Sequence, residues 1–138
     1  PPGTVRPFTR KVLSLTETGM RRVVQGTADA FGATAEVDFR VIFAPTVNDA
    51  AQADFVASVC AEVVGEDNVN RNPALIVASE DFSFMLEKVP GAYFNIGNGA
   101  GEDACEVHNP AYDFNDAALP LGASVFARIV EKKLAKSG

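Results

Sequence analysis

One histidine occurs in the 138 residues, and it lies in the run Val107-His108-Asn109-Pro110-Ala111-Tyr112-Asp113-Phe114-Asn115-Asp116. An imidazole titrates near neutral pH and is a common metal ligand, so His108 is the first residue to weigh for proton transfer or metal binding. A lone histidine is more often structural or simply exposed. Its neighbours raise its interest: Asn109-Pro110 and Asn115-Asp116 are turn and helix-start chemistry, which puts His108 on a fixed loop rather than a helix face. Asp113 and Asp116 are near enough in sequence to orient the second ring nitrogen, as metal-bound histidines require. Cys105 precedes His108 at C-x-x-H spacing, but a structural zinc needs more ligands than these two. Cys60 lies in an apolar run and reads as a small core side chain.

Other stretches carry weaker signals. Ser79-Glu80-Asp81 reads as a helix start, with Ser79 as cap and acids at the positive end, and capping alone accounts for all three residues. The functional reading adds an anion or substrate contact there. Gly97-Asn98-Gly99-Ala100-Gly101 follows a predicted strand, but no helix follows directly, so a phosphate cradle is a poor fit. Ser79 and Ser124 lack the G-x-S-x-G elbow of a serine hydrolase. No carboxylate pair stands out for glycoside chemistry. Arg6 is balanced between a solvent-exposed arginine and a carboxylate-binding one.

The elements that would hold these residues follow from periodicity. Thr9 caps a first helix whose Leu13, Met20, Val24, Thr27 and Phe31 share a face, and Gly32 stops it. Ala35, Val37, Phe39 and Val41 alternate with polar residues, predicting a half-buried strand. With the β-prone residues 4–8, the first 43 residues read as strand, helix, strand. Ala44-Pro45-Thr46-Val47-Asn48-Asp49 marks a boundary. A second helix over 50–64 buries Phe55, Val56, Val59 and Val63 and ends at Gly65. Residues 75–78 and 92–96 read as strands, residues 79–88 as a short helix, and residues 117–135 as a last helix. The pattern predicts an α/β fold.

Composition bounds the function. Hydrophobic content of 47% and charged content of 22% suit a globular protein of one domain or two small pieces. The net charge of −6 argues against a nucleic-acid partner. No apolar run approaches a membrane span, and no signal-peptide pattern opens the chain, so a cytoplasmic location is expected. Two cysteines are too few for a disulfide framework.

The run His108-Asn109-Pro110, then Tyr112-Asp113-Phe114-Asn115-Asp116, then Ala118-Leu119-Pro120-Leu121-Gly122-Ala123 resembles the C-terminal signature of the hippurate hydrolase and N-acyl-amino-acid amidohydrolase family, within the aminoacylase-like metallopeptidases. Gly3-Thr4-Val5-Arg6, Ala44-Pro45-Thr46-Val47-Asn48-Asp49 and Ser79-Glu80-Asp81-Phe82-Ser83 agree with it in the same order. The resemblance implies half of a ferredoxin-like lid and dimerisation domain over residues 1–43, joined to the C-terminal αβα part of a catalytic domain over residues 44–138. It implies that His108 is a metal ligand and that Ser79, Glu80 and Arg6 lie at the substrate site. It implies a divalent metal pair, zinc or manganese, and a small N-acyl amino acid as substrate.

The family's Cys-x-His and Glu-Glu motifs, which supply most ligands and the general base, are not in these residues. A hydrolytic metal needs about three protein ligands and a water. The chain is therefore expected to be an inactive portion of a larger amidohydrolase, holding no metal stably and containing no catalytic residue of its own. The alternative is a non-catalytic module. In either case, lid strands with open edges predict a homo-oligomer.

Overall fold

The computed structural model describes residues 3–99 and 105–135. Among these, regular structure is helical: α1 (Arg10–Ala30), α2 (Ala50–Val64), a single 3₁₀ turn (Glu66–Asn68), α3 (Phe82–Leu86) and α4 (Ala118–Lys133). No helix among the described residues is long and apolar enough to cross a membrane.

The expected α/β fold, half of a ferredoxin-like lid joined to an αβα layer, is overturned: no strand occurs among the described residues. Residues 4–8, 35–41, 75–78 and 92–96 were each predicted as strands, and none enters a ladder. Alternation of apolar and polar residues encodes only a preference for two faces. A strand also needs a neighbour that accepts and donates its backbone bonds in register. Among the described residues these segments form no ladder, and several of their apolar side chains remain open, with Leu75 77% exposed.

The helix boundaries follow local chemistry. Thr9 sits in extended backbone and its hydroxyl accepts the Val12 N–H at 3.1 Å, capping α1. At the other end Gly32 takes φ +63°. Its N–H donates to Asp29 O and the Ala33 N–H to Ala28 O, the paired bonds of a Schellman stop. The helix α2 spans the predicted residues and ends at Gly65, φ +87°. Ser79 does not cap α3, since the helix begins later and Asp81 occupies the N-cap position without a side-chain bond. In α4, Pro120 lies within the first turn, where no intrahelical acceptor is lost.

The chain forms two compact units, one of Pro1–Asp49 with Ala74–Gly91, the other of Ala50–Pro73 with Ala92–Gly138. In the first, Arg21 pairs with Glu17 and donates to Val37 O at 2.9 Å, which holds the extended segment beside α1. Arg10 pairs with Glu87, Phe43 stacks tilted on Phe84 at 6.2 Å, and the Asp49 N–H donates to Gly91 O at 3.0 Å. The helix α1 has no buried residue, so the predicted inner face of Leu13, Met20, Val24, Thr27 and Phe31 is only partly covered.

In the second unit α2 packs on α4. Val59, Ala118, Gly122 and Val125 are buried there. Around this small core Phe94 meets Phe126 at 5.7 Å, and the Lys133 ammonium lies 4.5 Å from the Phe55 ring centre. Glu62 of α2 accepts bonds from Arg128 and Lys132 of α4. Those two cations, Lys132 foremost, hold its carboxyl below the usual range. The half-buried Cys60 thiol is pushed up by burial, as expected of an unreactive core cysteine.

Candidate functional site

The segment around His108 is built from consecutive turns. The Asn109 N–H donates to Glu106 O at 3.2 Å, and the Tyr112 N–H to Asn109 O at 2.9 Å. The Asn109 side chain accepts the Ala111 N–H at 2.9 Å, an Asx turn that prepares the Pro110 step. His108 sits at the crest of the first turn with φ +71°, the one non-glycine residue in the left-handed region among those described. That conformation costs an L-residue about 1 kcal/mol or more, and such strain gathers where a side chain must be aimed. The imidazole is exposed.

Downstream, Asn115 starts α4. Its side chain accepts the Ala117 N–H at 3.1 Å, while its carbonyl accepts the Ala118 N–H at 2.9 Å. Upstream, the Asn98 amide reaches across to the same segment. It donates to Asp113 O at 2.9 Å and accepts the Asn115 N–H at 2.7 Å. Asn98 lines one side of a cavity of about 380 Å³ together with Ile96, Tyr112, Phe114, Leu119 and Phe126. Ala118, Gly122 and Ala123 complete its mainly apolar lining.

The expected partners of the imidazole are arranged differently. Asp113 contributes its backbone carbonyl to Asn98, and no hydrogen bond joins Asp113 or Asp116 to the His108 ring among the described residues. Cys105 is half-buried, and no group of three His, Cys, Asp or Glu able to hold a metal occurs among the described residues. Among the described residues the donor set fits one ligand position, an open imidazole. Residues 100–104 of the glycine-rich segment lie outside the described residues, and Gly99 before them takes φ +101°.

Ser79, Glu80 and Arg6 belong to the first unit and His108 to the second. Ser79 and Arg6 are exposed. Glu80 is half-buried, and its carbonyl accepts both the buried Ser83 hydroxyl at 2.7 Å and the Ser83 N–H at 3.3 Å. Its backbone therefore anchors the start of α3, while its carboxylate carries none of that load. Asn98 escaped sequence reasoning because it stands between two glycines, which mark only a loop. Its partners are 15 and 17 residues away.

Comparison with known proteins places these residues in a family. The chain is 32% identical over 131 residues to a hippurate hydrolase of Campylobacter jejuni, covering 95% of this chain and 33% of that protein. It is 32% identical over 139 residues to the IAA-amino acid hydrolase ILR1-like 4 of Arabidopsis thaliana, covering 96% of this chain and 31% of that protein. It is 31% identical over 127 residues to an N-acetylcysteine deacetylase of Bacillus subtilis, covering 92% and 32%. The chain spans about a third of the length of the curated relatives it matches. No solved structure matches it. The sequence pattern of peptidase family M20/M25/M40 matches residues 4–132, and the chain belongs to that family of metal-dependent peptidases and hydrolases.

Proposed function

We propose that this chain is the His108-bearing part of a metal-dependent amidohydrolase that cleaves the amide bond of N-acyl amino acids in the cytoplasm, and that the chain by itself is inactive. The observation that carries this reading is an exposed imidazole held in left-handed backbone inside the family's matched residues. The names of the hippurate hydrolase and the IAA-amino acid hydrolase among its relatives support an N-acyl amino acid as substrate. A divalent metal pair, zinc or manganese, would polarise the amide carbonyl and acidify a water when bound. His108 would supply one imidazole to that pair. Arg6 would meet the carboxylate of the amino acid, since guanidinium and carboxylate match in a paired geometry. Ser79 and Glu80 would be substrate contacts. No group in this chain is assigned the role of general base.

The test is direct. The purified chain with added zinc or manganese should not release glycine from hippurate. In a longer protein containing this chain and active on hippurate, His108→Ala should cut turnover and release one metal. Metal-dependent turnover by the 138-residue chain, or a His108→Ala protein with both metals and full activity, overturns the reading.

A second reading, self-association, is favoured by the open apolar segments Val41, Ile42 and Phe43, and Leu75, Ile76 and Val77. Their backbone lacks a ladder, and such segments invite pairing with another copy. Light scattering should give a dimer or larger; a stable species of 14.6 kDa at every concentration rules it out.

A further inference from the structure

We propose that Asn98 is the positioning residue of the His108 segment. This inference rests on the reading of His108 as the imidazole of the site. The Asn98 side chain meets the backbone of residues 113–115 as a strand partner would, with one donated and one accepted bond, at 2.9 Å and 2.7 Å. Both ends of the amide are engaged, so the orientation of its nitrogen and oxygen is determined. Aspartate at this position keeps the acceptor and loses the donor. Alanine loses both.

The constraint runs on into rigid structure. Asn115, held by Asn98, accepts the Ala117 N–H through its own side chain, and the next residue, Ala118, is buried at the start of α4. Gly99 adds a backbone limit through its φ of +101°, while a Cβ there would make only ordinary contact, 3.4 Å from the Asn115 side-chain nitrogen. The turns carrying His108 lead directly into this clamp through Asn109, Tyr112 and Asp113. A left-handed histidine persists only where its surroundings over-determine it. Among the described residues, Asn98 is the side chain from outside that hydrogen-bonds the segment just after these turns.

The single histidine makes the test clean, since selective isotope labelling of histidine gives one imidazole and one backbone amide signal. A strong intraresidue contact between the His108 amide and α protons marks left-handed backbone. Asn98→Ala should weaken that contact and shift the midpoint of a titration with zinc ion alone, followed on the imidazole signal, to higher zinc. Asn98→Asp, which keeps the Asn115 bond, should fall between. Asn68→Ala, which removes an amide bond to Val64 O in the same unit, should leave both readouts unchanged.

If Asn98→Ala keeps the proton contact and the zinc midpoint of the parent chain, or if Asn68→Ala moves them as far, the positioning role is overturned. If zinc never perturbs the imidazole while Asn98→Ala still abolishes the proton contact, His108 fails as a ligand and the positioning role stands.

Discussion

A Cβ on Gly122 would stand 3.0 Å from Ile96 Cδ1, so α4 meets the segment before the His108 turns across a glycine. Ile96 is 43% exposed, and its terminal methyl has room to swing. Gly122→Ala should therefore gain much of the roughly 1 kcal/mol by which alanine exceeds glycine in a helix. Gly122→Leu should lose about 1–3 kcal/mol by forcing the two apart. Urea midpoints of the two variants check this, and a Gly122→Ala chain less stable than its parent shows that Ile96 cannot give way.

His108 stands in backbone that favours glycine. His108→Gly should raise stability by about 0.5–1 kcal/mol, the relief of left-handed strain exceeding the added freedom of the unfolded chain. His108→Val, β-branched, should lower it by more than that. A gain in stability on removing the imidazole would mark His108 as kept for chemistry and not for packing. Loss of stability in both variants would remove that argument.

The helix α1 depends on local terms because none of its residues is buried. Thr9→Ala should cost about 1 kcal/mol and Thr9→Ser almost nothing, since serine keeps the hydroxyl that accepts the Val12 N–H. The ellipticity at the helix minimum should fall in the first and hold in the second. Equal helicity in all three chains would show that the cap is unimportant.

Glu62 ties α2 to α4 through Arg128 and Lys132, and its folded pKa is depressed. The stabilisation is fully present above the unfolded carboxylate pKa of about 4.3 and is lost as pH falls through the lower folded value. Glu62→Gln should thus lower the melting temperature at neutral pH, with the difference from the parent vanishing in strong acid. Salt should shrink it too, because all three side chains are substantially exposed. A difference that grows on acidification would contradict the assigned ion pairs.

The sequence by itself determined the ends of α1 and α2, but not the start of α3. Thr9, Gly32 and Gly65 act through bonds and torsions a few residues away, and the boundaries of α1 and α2 follow from such near neighbours. The motif at residues 108–116 was likewise legible as turns, because Asn109 and Asn115 bond their own local backbone. What only the tertiary structure decided was pairing at a distance. Residues 35–41 and 75–78 have the side chains of strands, yet a strand is a relation between two segments, and no alternation in one of them supplies the other. The same holds at the site. The carbonyl role of Asp113 and the clamp of Asn98 depend on a side chain at position 98 meeting backbone groups at 113 and 115. Hydrogen bonds form by proximity in space, and the residue types at those positions do not state it.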